Sequence, residues 1–493
     1  MAQAWQIDPA DNVATILADI AAGTMVSVAG FDMVAAVDIS RGHKIALLPI
    51  ANGAEIIKYG FPIGIATRAI APGEHVHTGN VATALSGTLD YAFADHGPDM
   101  AAQPGQAATF MGYPRADGRV GTRNEIWILP TVGCVSRTAQ RIAALGDADQ
   151  AGRVDGVHAL VHPFGCSQLG DDLKGTRHIL AALANHPNAG GVLIIGLGCE
   201  SNQLDALMAE IPEARRPAIR TMIAQLSPDE VGEGRALVAE LVALAGQPRV
   251  EVGLDRLVLG VKCGGSDGFS GLTANPLVGR MSNRVAGAGG RVVLTEIPEI
   301  FGAEQVLMSR AVSHDVFDRA AELVNDFKSY FIAHGEPVSE NPSPGNIAGG
   351  ITTLEEKSLG AVQKGGRVPV VDVVRYGGQA TLPGLTLLEA PGNDAVSTTA
   401  LAAAGATVIL FTTGRGTPLG APVPTMKIAS NTELAAAKPG WIDFNAGQVM
   451  EQGMAIAEQG LADRIVEVAS GGMTAAERNG EREMAIWKRG VTL

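Results

Sequence analysis

The chain has 493 residues, with 37 Lys and Arg against 51 Asp and Glu and a formal net charge of −14. This acidic excess disfavours nonspecific binding to nucleic acid or to an anionic membrane, although local arginines can still bind an anion. No apolar run approaches the length of a membrane span, and the first residues lack a basic region followed by an apolar one, so we expect a cytoplasmic protein. The length predicts two or three domains.

The first domain is predicted over residues 1–95. Short apolar runs alternate there with Asn-Gly, Tyr-Gly and Pro-Gly turns, which is typical of a small β-rich module. Residues 94–106 are polar and contain two glycines and two prolines, so we interpret them as a linker.

Two α/β domains are predicted after the linker, over residues 107–246 and 250–493. Continuous apolar runs, such as residues 191–198, alternate with helical stretches, which indicates mainly parallel, buried sheets. Gly246, Gln247 and Pro248 interrupt this pattern and mark the boundary between the two domains. The predicted fold class is therefore α/β, with a β-rich module in front.

The four cysteines all lie beside glycine in short loops. Cys134 follows an apolar run and is expected to pack in the core. Cys166, Cys199 and Cys263 are each followed within four residues by polar side chains, which favours a polar pocket over core packing. The gaps of tens of residues match neither a zinc ribbon nor a compact iron–sulfur sequence. So few cysteines in so long a chain also argue against a disulfide framework.

Several polar loops follow predicted strands, where ligands bind in open parallel sheets. The first runs from Glu200 to Asn202, and the second covers residues 262–275. Arg415 lies between two glycines after an apolar run, which suits bidentate binding of a carboxylate, although an ordinary turn is the alternative. None of these loops has dinucleotide-binding or Walker A spacing, so we assign no nucleotide. The remaining possibilities are chemistry without a cofactor and chemistry assisted by a metal.

A further polar cluster precedes a predicted strand. Arg123 and Asn124 stand just before that strand, and a solvated turn is the alternative interpretation of the cluster.

The N-terminal module contains three candidate histidines. His75 and His77 are two positions apart on an extended segment and share one face, which suits a first-row divalent metal. A surface pair without a metal is the alternative. His43 is a candidate for proton transfer or an anion contact.

At these residues the sequence resembles the altronate/galactarate dehydratase family over essentially its whole length. The matching motifs include Gly42-His43-Lys44, His75-Val-His77, Arg123-Asn124-Glu125, Gly165-Cys166-Ser-Gln, Gly198-Cys199-Glu200, Cys263-Gly-Gly-Ser266-Asp267, Thr273-Ala-Asn275-Pro and Thr413-Gly-Arg415-Gly-Thr-Pro. The sequence departs from the family at Gly79, where the family often has another histidine, and this departure weakens the prediction of a histidine-rich metal site.

The resemblance implies an N-terminal SAF-type module and a hydro-lyase that converts a hexonate to 2-dehydro-3-deoxy-gluconate, with dependence on Fe²⁺ or Mn²⁺. Removal of the C2 proton creates an enediolate-like charge that a divalent cation can stabilise. Loss of the C3 hydroxyl then needs a proton donor.

On this basis we predict three groups of site residues. The metal or carboxylate contacts are assigned to His43, His75 and His77. The catalytic residues are assigned to Cys166, Cys199, Glu200, Cys263 and Asp267. The substrate contacts are assigned to Arg123, Asn124, Ser266, Asn275 and Arg415. Because soft thiolates suit Fe²⁺, the cysteine loops are a rival location for the metal.

We expect the protein to bind a small sugar acid and to bind neither nucleic acid nor a membrane. A homodimer is the assembly considered. Alternatives to altronate are galactarate, another 2-hydroxy acid that loses a group such as sulfite, or sugar-acid binding without catalysis.

Overall fold

The computed structural model describes residues 4–93, 108–490 and 492. The predicted linker, residues 94–106, lies outside these described residues. With the predicted boundaries, the described chain divides into an N-terminal module (residues 4–93), a second domain (residues 108–246) and a third domain (residues 250–490). The predicted class, an α/β protein with a β-rich module in front, is confirmed.

The N-terminal module consists of short antiparallel strands. Its largest sheet has the order β1-β2-β5-β8, and β3-β4 and β6-β7-β9 form two smaller sheets. The strands are β1 (Ala4–Trp5), β2 (Val13–Ile16), β3 (Met25–Val28), β4 (Phe31–Val34), β5 (Lys44–Ala46), β6 (Glu55–Lys58), β7 (Phe61–Ala66), β8 (His75–Val76) and β9 (Val81–Ala82).

The second domain contains a four-stranded parallel sheet of order β13-β12-β14-β15. The strands are continuous apolar runs because both faces are covered by helices. The elements are β10 (Thr109–Pro114), β11 (Val120–Gly121), β12 (Glu125–Pro130), α1 (Ser136–Asp149), β13 (Val157–Ala159), α2 (Gly170–Ala184), β14 (Ala189–Gly196), α3 (Leu204–Glu210), β15 (Ile219–Ile223) and α4 (Glu230–Ala245).

The third domain contains a seven-stranded parallel sheet of order β19-β20-β18-β17-β21-β22-β23. Its strands are β16 (Val250–Gly253), β17 (Val258–Cys263), β18 (Arg291–Leu294), β19 (Val370–Val374), β20 (Gly384–Leu388), β21 (Val408–Thr413), β22 (Thr425–Ala429) and β23 (Phe444–Asn445). Its helices are α5 (Ala274–Gly287), α6 (Glu304–Met308), α7 (His314–Ala333), α8 (Pro344–Ala348), α9 (Leu354–Ala361), α10 (Asp394–Ala403), α11 (Thr432–Ala437), α12 (Val449–Gln452), α13 (Met454–Ala469) and α14 (Ala475–Arg478).

The three parts share hydrophobic cores. Ile56 and Ile63 of the module belong to one core with Leu259 of the third domain. Trp127 of the second domain belongs to another core with Ile409 of the third. Strand β10 also pairs antiparallel with β16, across the predicted domain boundary. These shared cores fix the module and both α/β domains against one another. No helix in the described part of the chain is long and apolar enough to cross a membrane.

Candidate active site

Three histidines of the N-terminal module form one cluster, which we call the imidazole cluster: His43, His75 and His77. Strands β5 and β8 pair antiparallel, with Ile45 opposite His75, so the residue before β5 reaches the two histidines of the neighbouring segment. His43 Nδ1 lies 3.0 Å from His75 Nε2. One ring nitrogen of each residue lies within 4.8 Å of the other two. His75 and His77 also line an open cleft of about 420 Å³.

The imidazole rings are neutral near pH 7. Burial lowers the pKa of His75 and of His77 to about 4, and it also lowers the pKa of His43. A neutral imidazole offers a ring nitrogen lone pair to a metal. Nδ1 of His77 is buried and has no hydrogen-bond partner among the described residues. The three rings therefore fit a first-row divalent ion as a set of nitrogen ligands.

A buried ion network joins the imidazole cluster to the third domain. Glu356 of α9 accepts hydrogen bonds from Lys44 Nζ and Lys58 Nζ, each at 2.7 Å. Lys44 Nζ also donates to the Gly350 carbonyl at 2.7 Å. Burial raises the pKa of Glu356, but the two lysines outweigh it and hold that pKa well below its usual range. Because Lys44 follows His43, this network fixes the cluster against the segment that leads into α9.

A second polar cluster lies at the carboxyl ends of β17 and β18, centred on Cys263, and we call it the Cys263 cluster. Its ion pairs and hydrogen bonds are short. Lys262 Nζ contacts Glu296 at 2.6 Å, and Lys364 Nζ donates to Cys263 Sγ at 2.8 Å. The Cys263 thiol donates to Glu299 Oε2 at 3.4 Å. Two more members extend the cluster: Lys357, 2.9 Å from Glu299, and Asp394, 2.8 Å from Lys262.

Burial sets the charge state of this second cluster. It raises the pKa of the Cys263 thiol to about 12, so the sulfur carries a proton at neutral pH. Burial lowers the pKa of Lys262, but Glu296 and Asp394 outweigh that effect and raise it above its usual range. Glu296 adopts a left-handed backbone conformation, with φ of +67°, although it is not glycine. Such backbone strain in a buried polar residue is typical of functional sites.

The predicted site residues did not include Lys262, although it starts one of the predicted polar loops, and they did not include Glu296, Glu299 or Lys364. Lys262 and Glu296 stand at the ends of the apolar runs that form β17 and β18, and this position was the available signal. Lys364 carries no such signal, because it comes from the turn after α9 and reaches Cys263 only in the folded chain.

Asp267 organises a loop. Its Oδ1 accepts hydrogen bonds from the Ser270 amide and hydroxyl and from Ser430 Oγ, and its Oδ2 accepts one from Asn431 Nδ2. The predicted catalytic role of Asp267 stays a prediction, and the bonds show that its carboxylate also holds the loop in place. The neighbouring Ser266 is buried, and its carbonyl accepts from Asn346 at 2.8 Å.

The predicted substrate contacts divide into buried and exposed residues. Asn275 is buried and bonded to Thr412 Oγ1 and to the Gly360 carbonyl, so it joins β21 to the end of α9. Arg415 is exposed, and its Cβ lies close to the position of a Cβ on Gly265. The role of Arg415 as a clamp for the substrate carboxylate stays a prediction.

Arg123 and Asn124 serve the joint between the α/β domains, and the predicted substrate contact does not fit their surroundings. Arg123 is buried and pairs with Glu477 through two bonds of 2.8 and 2.9 Å. Its other donors bond to carbonyls that include Val468 and Gly472. Asn124 donates to the Ala245 carbonyl at 2.7 Å. Their side chains are thus engaged by the protein itself.

The other three cysteines lie at the edge of the second-domain sheet and are exposed. Exposure of Cys134 makes the predicted core packing wrong. Cys166 and Cys199 follow β13 and β14, whereas Cys263 ends a strand of the third-domain sheet. The predicted single elimination face is therefore divided between two sheets. Glu200 is buried and accepts from Thr131 Oγ1 at 2.6 Å, so it holds the Cys199 loop.

Comparison with known proteins assigns this combination of module, sheets and clusters to the sugar-acid dehydratases. Three family descriptions match the chain in order: Altronate/galactarate dehydratase SAF domain over residues 2–84, D-galactarate dehydratase/Altronate hydrolase second domain over 112–246, and D-galactarate/Altronate dehydratase C-terminal over 254–492. The chain belongs to the altronate/galactarate dehydratase family, as the sequence motifs predicted.

Three relatives support the same assignment. The chain is 51% identical to the altronate dehydratase of Escherichia coli (strain K12), over 99% of both chains. It is 48% identical to the altronate dehydratase of Bacillus subtilis (strain 168), again over 99% of both. It is 35% identical to the galactarate dehydratase (L-threo-forming) of Escherichia coli (strain K12), over 94% of this chain and 92% of the relative.

Proposed function

We propose that this chain dehydrates altronate to 2-dehydro-3-deoxy-gluconate. The observation that carries the proposal is the near-complete similarity to two altronate dehydratases, at 51% and 48% identity, against 35% for the galactarate dehydratase. Galactarate is the second candidate substrate, because that relative also covers most of the chain.

The imidazole cluster is the proposed site for Fe²⁺ or Mn²⁺. Support comes from the neutral rings of His43, His75 and His77 and from the unpartnered buried Nδ1 of His77. A divalent ion bound there supplies Lewis-acid stabilisation of the charge that develops when the C2 proton leaves. The protein's own contribution is to hold the three rings in place through the Lys44–Glu356 ion pair.

The Cys263 cluster is the proposed proton-transfer machinery. Dehydration needs one group to accept the C2 proton and another to donate a proton to the departing C3 hydroxyl. The Asp394 side chain is 38% exposed, so it can face a bound substrate, and it pairs with Lys262, which is buried behind it. The segment before and within α9 contacts both clusters: the Ala348 carbonyl lies 3.4 Å from His43 Nε2, and Lys357 pairs with Glu299.

Formation of a 2-keto acid by the purified chain tests the substrate proposal. We expect turnover of altronate in the presence of Fe²⁺ or Mn²⁺ and much slower turnover of galactarate. Turnover of galactarate alone would replace the first candidate with the second. Thermal stabilisation by altronate without turnover under either metal would instead indicate a sugar-acid binding protein.

A cytoplasmic homodimer is also proposed for this chain. Light scattering during size-exclusion chromatography is expected to give twice the mass of one chain, and the mass of a single chain would contradict the dimer.

A further inference from the structure

Three exposed thiols lie at one edge of the second-domain sheet. Cys134 comes after β12, Cys166 after β13 and Cys199 after β14, and these strands are neighbours in the order β13-β12-β14. Parallel strands end at the same edge, and neighbouring strands are about 4.8 Å apart. Cysteines that are separated by tens of residues in sequence are thus carried by adjacent loops.

Hydrogen bonds beside the cysteines hold the three loops together. The Gly133 amide donates to the Phe164 carbonyl at 2.8 Å, which joins the Cys134 loop to the Cys166 loop. The Asn202 amide donates to the Gly165 carbonyl at 2.9 Å, which joins the Cys166 loop to the Cys199 loop. Asn202 Nδ2 also donates to the Thr131 carbonyl at 3.1 Å and closes the set. The thiol positions are therefore organised by the fold itself.

Glycine permits the close approach of these loops. Gly165 has φ of +104°, and a Cβ there would lie 2.1 Å from the Thr131 carbonyl oxygen. Gly198 has φ of +128°, and a Cβ there would lie 2.6 Å from Gln225 Oε1. Gln225 Nε2 also donates to Cys199 Sγ at 3.5 Å, a contact that stabilises a thiolate.

The three exposed thiols are not close enough to surround a single ion. Among the described residues, two separate sets of possible metal ligands each have their ligand atoms within 4.8 Å of one another: the imidazole cluster, and Cys263 with Glu296 and Glu299. The three exposed thiols form no such set. A single zinc ion needs its ligands close around one centre. Thiolates at wider spacing suit a cluster of several iron atoms bridged by sulfide.

We infer that Cys134, Cys166 and Cys199 bind an iron–sulfur cluster. The remaining cysteine of the chain, Cys263, is buried in the third domain, so the cluster has three cysteine ligands. In a cluster of four irons and four sulfides, three thiolates leave one iron without a protein ligand, and that iron can accept an oxygen ligand from solvent or from a hydroxy acid. This assignment goes beyond the proposed function, and it does not depend on which sugar acid is the substrate.

Anaerobic reconstitution of the full-length protein with equal amounts of ferrous and ferric iron, together with sulfide, tests this inference. We expect bound iron and acid-labile sulfide in equal amounts, together with the broad visible absorption of an iron–sulfur cluster. Cys134→Ser, Cys166→Ser and Cys199→Ser are each expected to lose most of the sulfide. Cys263→Ser is the matched control and is expected to retain it. Thermal unfolding of each variant checks that the exposed substitutions leave the fold intact.

Several outcomes would overturn the inference. These are a wild-type protein that binds no sulfide, a preparation that holds zinc or iron without sulfide at these thiols, or equal sulfide in the Cys166→Ser and Cys263→Ser proteins. Altronate turnover in the same samples separates the two proposals. Altronate turnover by reconstituted protein that holds no sulfide would contradict only the iron–sulfur proposal. A bound cluster in protein that does not turn over altronate would contradict only the proposal of altronate dehydration.

Discussion

The second and third domains place cysteine at the same position of similar sheets and give it opposite surroundings. In both domains the thiol lies beside glycine at the carboxyl edge of parallel strands. Cys166 of the second domain is exposed, whereas Cys263 of the third is buried among lysines and glutamates. The motif therefore locates a thiol at the sheet edge, and burial and neighbouring charges decide whether that thiol is accessible to solvent or enclosed by the protein.

Thiol labelling gives the largest expected contrast between the two edges. With a pKa raised to about 12, Cys263 is ionised in roughly one molecule in 10⁴ at pH 8. Since the thiolate is the reactive form and Cys263 is also buried, we expect labelling more than about a hundredfold slower than at the exposed thiols. Mass spectrometry of protein free of metal should find three alkylated cysteines in the native state and four after denaturation. Rapid labelling of Cys263 in the folded chain would remove the contrast.

Glu296→Gln tests the charge network at the third-domain edge. The substitution leaves Lys262 and Lys364 buried with less compensating charge, and removing one partner of a buried pair costs about 3–5 kcal/mol. The free energy of unfolding in urea measures the loss. Glu433→Gln is the control, because the pair of Glu433 with Arg41 is exposed, with the glutamate side chain 75% accessible, and its loss should cost under about 1 kcal/mol. Equal losses in the two variants would show that the buried network contributes no more to the free energy of unfolding than an exposed ion pair does.

Gly165→Ala tests the packing of the second-domain edge. The new Cβ would meet the Thr131 carbonyl at 2.1 Å in a conformation that side chains rarely adopt, so we expect a loss of roughly 3 kcal/mol and less bound sulfide. Gly170→Ala is a matched control in the same loop region. Its φ is also positive, at +49°, but no atom lies within 4 Å of the new Cβ, so about 1 kcal/mol is expected. The same urea experiment compares the two, and equal costs would mean that the loops are not tightly held together.

The pH dependence of stability gives the smallest expected effect and probes the junction between the two domains. His186 Nε2 lies 3.1 Å from the Ala406 carbonyl, and burial lowers the pKa of His186 from 6.5 to about 3. Between these values the unfolded chain binds a proton that the native chain does not, so stability falls as the pH drops from 6.5 towards 3. The slope from this one residue is at most about 1.4 kcal/mol per pH unit. Denaturation at pH 7 and pH 5 should therefore give a flatter dependence for His186→Gln than for the wild type, and identical slopes would contradict the assignment.

The sequence predicted the α/β architecture because its signals are local. Apolar runs such as β14 and the turns of the N-terminal module need no distant partner to be recognised. The pair His75 and His77 was also a local signal, since two positions along a strand share one face. The inclusion of His43 among the metal ligands depended on the family resemblance, because the pairing of β5 with β8 is what brings His43 close to His75 and His77.

The errors concern residues whose partners are distant in the chain. Arg123 suggested a substrate contact, but the fold brings it to Glu477 of α14. Cys134 follows an apolar run and was expected in the core, yet the strand ends at Pro130 and the next turn leaves the thiol exposed. The long gaps between cysteines argued against an iron–sulfur sequence motif, whereas adjacency of strands, which a linear spacing does not encode, brings three of their loops together.

The most direct test of metal-assisted dehydration measures bound Mn²⁺ and altronate turnover in the same chelator-treated sample. We expect Mn²⁺ to restore both in the wild type. We also expect that His77→Ala, with its sulfide content unchanged, recovers neither. Full Mn²⁺ binding and full turnover in His77→Ala would contradict the central role of the imidazole cluster.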